Sequence, residues 1–233
     1  MLKRIECNKM GKSDLGWLHS IFHFSFAEYH NPDNINFGVL RVLNDDLIES
    51  NTGFDMHPHR DMEIISYVVD GELTHGDSMG NKSTLTRGQV QYMSAGTGVF
   101  HSEHNLYNKQ ARFLQIWILP DKKGYTPNYG DYRFAWDMRK NKWLHIVSGK
   151  NGEAPVRLNQ DANIYVLELE MGCEISFSIE ANRQAYLVQI EGTSTINGVV
   201  LNARDAMEIK EENITILANE LSHFLVIEMT LQP

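Results

Sequence analysis

Two short histidine-containing segments hold the residues of this chain whose types and spacing could do chemistry. The first contains His57 and His59, and the second contains His101 and Glu103. In a β-strand, residues i and i+2 project to the same face, so each pair would present its side chains together. Two such strands facing each other across a barrel would gather three imidazoles and one carboxylate around one point. That set suits a divalent transition metal with positions left open for a substrate, and it predicts an oxygen-using enzyme.

Pro58 stands between the two histidines of the first pair and restricts where their strand can lie. Proline cannot donate to a strand ladder, which favours an edge or a bulged position. The alternative to a metal site is a buried polar network or a solvated loop edge. Two pairs, each near a glycine turn and separated by strand-like segments, favour the metal.

The elements that must position these pairs are predicted to be short β-strands separated by turns. Strand patterns in this half cover residues 37–43, 63–69, 90–93 and 113–119. Asp70-Gly71 predicts a hairpin turn, and Asn197-Gly198 predicts another in the second half. The helix candidates are brief, for instance around residues 129–138. This pattern is typical of an all-β sandwich or barrel.

A change in composition near the middle of the chain indicates two domains. Residues 121–132 contain one proline, two glycines and several polar residues, as expected of a connection. We expect a metal-binding domain over residues 1–130 and a second β-rich domain over residues 131–233. The second domain has lone histidines, His145 and His223, and no His-x-His or His-x-Glu pair. We therefore expect no second metal site there, and we expect this domain to serve in packing or pocket closure.

The composition argues against several other classes of protein. A net charge of −9 disfavours a direct binder of nucleic acid or of anionic membranes. No apolar run approaches the roughly 20 residues of a membrane helix, and the segment 1–6 lacks the apolar core of a signal peptide. Cys7 and Cys173 lie far apart and in no ligand spacing, so we expect a cytoplasmic protein without disulfides.

The same two segments also resemble known motifs. One set of residues resembles the first cupin motif: Gly53, His57, His59, Glu63 and Gly71. Another set resembles the second cupin motif: Gly88, Gly98 and His101, with Ala95 where many cupins have proline. The finer pattern resembles the pirin family over residues 24–26, 57–63, 94–98 and 101–103. The detailed resemblance covers the N-terminal half, and the C-terminal half shares the β-rich style.

The pirin resemblance implies a bicupin, with two packed, jelly-roll-like β-barrels, few short helices and metal in the N-terminal barrel. It implies four ligands: His57, His59, His101 and Glu103. Glu63 is the ligand in many other cupins, and here we expect it to support the ligands or the fold. One divalent transition metal per chain is expected, with Fe2+ placed first and Ni, Co, Mn, Cu and Zn as alternatives.

Several pirins resemble quercetinases, which use dioxygen to open the central ring of a flavonol. We therefore predict a quercetin 2,3-dioxygenase-like oxidoreductase whose substrates are a small aromatic enol and dioxygen. Glu103 is the expected base for the enol proton, if it can shift away from the metal. The expected pocket walls, which could equally be ordinary barrel core, are Phe54, Met56, Met93 and Trp117. The alternative function is a metal-binding, redox-sensing regulatory module that binds a protein partner without robust turnover.

Overall fold

The computed structural model of this chain describes residues 1–149 and 152–231. The strands in these ranges are β1 (Leu2–Ile5), β2 (Gly11–Asp14), β3 (Leu18–Phe22), β4 (Leu40–Ile48), β5 (Thr52–His59), β6 (Glu63–Asp70), β7 (Glu72–Asp77), β8 (Lys82–Thr86), β9 (Val90–Ser94), β10 (Val99–Asn105), β11 (Ala111–Ile118), β12 (Asn128–Tyr132), β13 (Leu144–Gly149), β14 (Val156–Leu158), β15 (Ala162–Leu169), β16 (Glu174–Phe177), β17 (Arg183–Glu191), β18 (Ser194–Ile196), β19 (Val199–Leu201), β20 (Ala206–Lys210), β21 (Ile214–Ala218) and β22 (Ser222–Thr230). The helical segments of these ranges are short 3-10 turns, at Cys7–Lys9 and Trp136–Arg139. The all-β prediction with few short helices is therefore confirmed. The helix candidate at residues 129–138 is wrong over its first part, which forms β12.

The chain divides into two compact units that are not contiguous in sequence. One unit, called the histidine unit below, comprises Gly11–Phe134 and Val156–Gln160. The second unit comprises Met1–Met10, Ala135–Pro155 and Asp161–Pro233. The predicted domain boundary after residue 130 stays a prediction.

The histidine unit contains a larger and a smaller antiparallel sheet. The larger sheet has the strand order β12-β9-β6-β11-β4-β3-β2, and the smaller has β5-β10-β7-β8. The strand with Pro58, β5, lies at the edge of the smaller sheet, so the expected edge position is confirmed. The hairpin predicted at Asp70-Gly71 is wrong, because β6 belongs to the larger sheet and β7 to the smaller. Gly71 turns this corner at φ +75°, where a Cβ would lie 2.7 Å from the carbonyl oxygen of Gln110.

Polar side chains cross the larger sheet in one continuous row. Neighbouring strands pair Asn44 with Gln115, Gln115 with Ser66, and Ser66 with Gln91. Residues two positions away on these strands share the same face. They form apolar layers on either side of the row, with Ile64 and Met93 in one layer and Val68 and Phe113 in the other. The row therefore forms a polar layer between two apolar ones.

The strand predicted over residues 37–43 is longer in the structure and shifted towards its C-terminus. It runs as β4 from Leu40 to Ile48 and includes the polar residues Asn44, Asp45 and Asp46. Asp45 forms a salt bridge with Arg112 on β11 at 2.6 Å. The polar residues 44–46 lie beyond the predicted end of the strand, but Asp45 and Asp46 find partners on adjacent strands, Arg112 and Ser20, and the ladder continues.

The second unit is also built from two antiparallel sheets. One runs β1-β20-β17-β22-β15-β13, and the other runs β16-β21-β18-β19. The hairpin at Asn197-Gly198 is confirmed between β18 and β19, with positive φ at both residues. The core of this unit is aliphatic and aromatic, and Phe177, Ile196 and Ile216 of its smaller sheet belong to that core.

Neither cysteine forms a disulfide bond in the part of the chain that the structure describes. Within residues 1–149 and 152–231, no helix is long and apolar enough to span a membrane.

Candidate metal centre

Three imidazoles meet on the smaller sheet of the histidine unit. The ring of His57 lies 4.8 Å from that of His59 and 4.5 Å from that of His101, measured between centroids. The His59 and His101 rings are 4.8 Å apart. One potential ligand atom from each residue lies within 4.8 Å of the other two. The rings of His57 and His101 come close because the two residues are direct partners in the pairing of β5 with β10.

Two imidazoles of this trio, those of His59 and His101, favour the neutral form that binds metals. Burial, followed by the neighbouring imidazoles, lowers the pKa of His59 to about 3 and that of His101 to about 3. The ring Nδ1 of His57 donates to the carbonyl oxygen of Asp55 at 2.7 Å, which orients the ring and makes Nε2 the nitrogen that is available to a metal. The Nδ1 of His101 is buried without a hydrogen-bond partner. Three close imidazoles, one of them with an unsatisfied ring nitrogen, fit a divalent transition metal.

Glu103 follows the trio on β10, beyond an irregularity in its pairing with β5 between His101 and Glu103. Its carboxylate is buried and contacts the polar row of the larger sheet. Oε1 accepts hydrogen bonds from Ser66 Oγ at 2.6 Å and Gln91 Nε2 at 2.5 Å, and Oε2 accepts from Gln115 Nε2 at 2.5 Å. Glu103 is thus fixed by the opposite sheet and lies outside the closely spaced trio.

Glu63 is also buried, but in a different network. Its carboxylate accepts hydrogen bonds from Tyr92 Oη at 2.7 Å, Ser94 Oγ at 2.7 Å and the backbone N–H of Asn159 at 2.9 Å. These contacts join β6, β9 and the segment after β14. Burial, together with the negative Glu63, raises the pKa of Tyr92 above its usual value, so the phenol remains a donor.

A cavity of about 280 Å³ is bordered by His57, His59 and Glu103. Its apolar walls are Leu15, Leu18, Phe22, Phe26, Phe54 and Trp117. The ring of Trp117 contacts Phe26 edge-on at 5.4 Å and His59 edge-on at 4.9 Å, measured between centroids. The cavity therefore offers flat apolar surfaces directly beside the imidazoles, as a planar aromatic ligand requires.

Two of the four expected pocket walls line this cavity, and two do not. Phe54 and Trp117 are lining residues, whereas Met56 is 55% exposed and Met93 is buried with Ile64 in an apolar cluster. A β-bulge in β5 explains why Met56 is exposed. Phe54 pairs with Glu103 and His57 pairs with His101, so β5 has an extra residue between them. Phe54 and His57 can then both border the cavity while Met56 faces outward.

Several cavity residues were missed from the sequence, above all the polar ones on β3, β4 and β11. Ser20, Asn44, Asp46 and Gln115 all line the cavity. A signal for them exists, because Gln115 interrupts the otherwise apolar run of residues 113–118 in β11. A lone polar residue at an inward-facing position of a buried strand needs a partner, and it therefore indicates an internal polar site.

Asp46 is held at this polar side of the cavity. Its Oδ1 accepts a hydrogen bond from Ser20 Oγ at 2.5 Å. Burial raises the pKa of Asp46 to about 7, with a smaller contribution from the charges of Asp45 and Glu103, against the hydrogen bond from Ser20. Asn44 Oδ1 is buried nearby on the same strand without a hydrogen-bond partner.

His75, another residue that sequence reasoning missed, supports the trio from β7. Its ring lies 5.5 Å from that of His101 and stacks on Tyr129 at 4.3 Å. Its Nε2 lies 3.0 Å from Asp77 Oδ2, which orients the ring. The imidazole of His101 is therefore packed against a second, fixed imidazole.

Comparison with known proteins places this site in a family. The Pirin family model matches residues 5–118, and the model described as the quercetinase C-terminal cupin domain matches residues 140–229. The chain is 44% identical over 232 residues to a pirin-like protein of Caulobacter vibrioides, covering 98% of this chain and 99% of the relative. It is 39% identical over 226 residues to the quercetin 2,3-dioxygenase of Escherichia coli K12, covering 96% of each.

A solved structure agrees with these relatives. The crystal structure of a bacterial pirin from Escherichia coli in complex with nickel(II) matches with a TM-score of 0.92 and 37% sequence identity, covering 99% of each chain. The bicupin fold is thus confirmed, and the His57, His59 and His101 cluster supports a single divalent metal. By its sequence over nearly the whole length and by its fold, the chain belongs to the pirin family.

Proposed function

We propose that this protein is a metal-dependent dioxygenase that opens the ring of a flavonol such as quercetin. The observation that supports this most directly is the close trio of imidazoles, two of which, His57 and His59, border a cavity with aromatic walls. The relative in Escherichia coli K12 carries the name quercetin 2,3-dioxygenase, which agrees with this assignment. Dioxygen is the proposed co-substrate.

The proposed ligands of one divalent metal are His57, His59, His101 and Glu103, with Fe2+ as the proposed native ion. The three imidazoles lie close together, and the Glu103 carboxylate borders the same cavity as His57 and His59. When bound, such a metal supplies a Lewis acid and a template that favour the enolate form of the substrate.

The chain's own residues would perform the remaining tasks. Phe26, Phe54 and Trp117 would hold the planar rings of the substrate and exclude water from the reacting face. Glu103 would accept the enol proton. Its Oε2 is held by the amide of Gln115, and rotation of that amide would release the oxygen.

Replacing Glu103 by Gln tests its role as base. An amide retains an oxygen donor but has no useful basicity near neutral pH. Glu103→Gln is expected to keep detectable metal and to bind flavonol, yet to lose turnover by about 100- to 10,000-fold. Metal content, flavonol absorbance and dioxygen uptake are measured on one preparation.

The outcomes of that experiment are distinct. Retained metal with turnover reduced less than about tenfold would show that Glu103 is not the base. A wild-type protein that contains metal but consumes no dioxygen with any enol would contradict the dioxygenase, and the regulatory module would then be the better hypothesis.

We propose the cytoplasm as the location of the protein. Cys7 and Cys173 form no disulfide in the described ranges, in agreement with a reducing compartment. Recovery of the native protein in an extracytoplasmic fraction would contradict this proposal.

A further inference from the structure

The cavity of the histidine unit has a polar side that the proposed metal ligands do not use. Ser20 on β3 and both Asn44 and Asp46 on β4 line it, across from walls that are mainly apolar. These three side chains are almost completely buried, with exposed fractions of 4%, 3% and 2%. Polar groups buried in this way are costly unless they are satisfied.

The hydrogen bonds of these groups are incomplete within the protein. Asp46 Oδ1 is satisfied by Ser20, but Asn44 Oδ1 has no hydrogen-bond partner. The neighbouring polar residue of the row, Gln115, directs its amide to Glu103. An unsatisfied buried carbonyl beside a cavity indicates that something in the cavity is meant to donate to it.

The position of this polar side relative to the imidazoles limits what could bind. Asn44 is the strand partner of Gln115, which contacts Glu103 directly. Adjacent strands are about 5 Å apart, and residues i and i+2 on a strand are about 7 Å apart. Asn44 and Asp46 thus lie within the length of one small polycyclic ligand whose reacting end is at Glu103 and the histidines.

We propose that Asn44 and Asp46, supported by Ser20, form a subsite that binds a hydroxyl group carried by the substrate away from its enol. The subsite rests on the proposed function, because the enol is taken to lie at the histidines. A hydroxyl can donate to Asn44 Oδ1 and also accept a hydrogen bond. The Asp46 carboxyl is well suited to be its second partner, since a pKa of about 7 keeps part of it protonated at neutral pH.

The subsite assigns a substrate class. It favours polyhydroxylated flavonols over a flavonol that has the enol hydroxyl alone. A buried polar site discriminates strongly against a ligand that lacks the matching group, because its own polar atoms are then left unpaired.

Binding of two flavonols to full-length, metal-loaded protein tests the subsite. The ligands are quercetin and 3-hydroxyflavone, and their Kd values are measured by absorbance titration. The ratio of the two Kd values is compared between wild-type protein and each variant. This comparison removes the effect of the different hydrophobicity of the two ligands, because that effect is the same in every protein. Asn44→Leu is expected to reduce the preference for quercetin by about tenfold, while Kd for 3-hydroxyflavone changes little.

Two further variants keep this experiment decisive. Asn44→Ala removes the same oxygen without adding a branched side chain and serves if the leucine variant does not fold. Leu15→Ala removes part of the apolar wall and is expected to weaken both flavonols alike.

Each outcome separates the subsite from the proposed function. Wild-type protein that binds both flavonols, with a Kd ratio unchanged in the Asn44 variants, overturns the subsite and leaves the proposed function standing. Wild-type protein that binds neither flavonol overturns both. A ratio that falls in the Asn44 variants but not in Leu15→Ala supports the subsite.

Discussion

The imidazoles of His57, His59 and His101 lie so close together that protonating one disfavours protonating the next. This repulsion adds to burial in lowering the pKa of His59 and His101. Both effects keep the nitrogen lone pairs available at neutral pH, and a metal ion competes with protons for them. The individual residues therefore suit metal binding for electrostatic reasons as well as geometric ones.

Removing two of these imidazoles should abolish metal binding. We expect His57→Ala with His59→Ala to leave less than about a tenth of the wild-type metal, since one imidazole cannot replace a chelating set. The measurement is elemental analysis of the full-length protein. His19→Ala with His30→Ala is the matched control in the same unit, outside the trio. Metal retained by the first variant at the level of the control would contradict the ligand assignment.

The two buried glutamates should respond differently to substitution. Glu63→Gln is expected to keep its metal but to lose about 2 kcal/mol of stability, because it disturbs the charged acceptor of Tyr92, Ser94 and Asn159. Glu103→Ala is expected to weaken metal affinity by about 10- to 100-fold. Metal titration and denaturant unfolding measure the two effects. If Glu63→Gln lost the metal and Glu103→Ala kept it, the roles of the two residues would be reversed.

At the scale of elements, the site depends on an edge strand. β5 carries His57 and His59 and pairs with β10, while no strand of its sheet follows on its other side. Edge strands open more readily than central ones. A metal held by residues of β5 and β10 would therefore act as a clamp between them.

Metal binding should consequently protect β5 from hydrogen exchange. At a metal concentration 100 times the Kd, openings that break the site are suppressed by about 100-fold. Amide exchange of β5 is compared in metal-loaded and chelator-treated protein. β8, the opposite edge of the same sheet, is the internal control and should change much less. Equal protection of both strands would indicate general stabilisation instead of a clamp.

At the scale of the whole molecule, a buried histidine outside the trio links stability to pH. Burial lowers the pKa of His23 to about 4, while the negative Asp45 opposes the shift. The unfolded chain takes up this proton near pH 6.5. His23 therefore contributes its full stability above pH 6.5, and that contribution is lost as the pH falls towards 4.

The loss amounts to about 3 kcal/mol for a shift of this size. Metal-free wild-type protein and His23→Gln are unfolded in denaturant at several pH values between 4 and 7. Their difference in stability should shrink by about that amount as the pH falls, since other groups, Asp46 included, titrate in both proteins. A difference that stays constant with pH would contradict the buried neutral state of His23.

The sequence by itself determined the fold class and the identity of the imidazole trio. Strand periodicity and turn residues indicate an all-β chain locally, and a His-x-His pair presents both rings to one face wherever its strand lies. Pro58 favoured an edge or a bulged position for that strand, for an equally local reason, the missing N–H. These properties depend on residues close together in the chain.

Only the tertiary structure decided what surrounds the trio. The bulge that turns Phe54 towards the cavity and Met56 away depends on the register between β5 and β10. The polar row that fixes Glu103 is assembled from separate strands, and no single strand reveals that its one polar residue will meet the others. Asn44 and Asp46 appeared to end a strand because the polar pattern of a loop and that of a buried polar layer are identical locally. Burial and pairing across the sheet, which are long-range properties, distinguish the two.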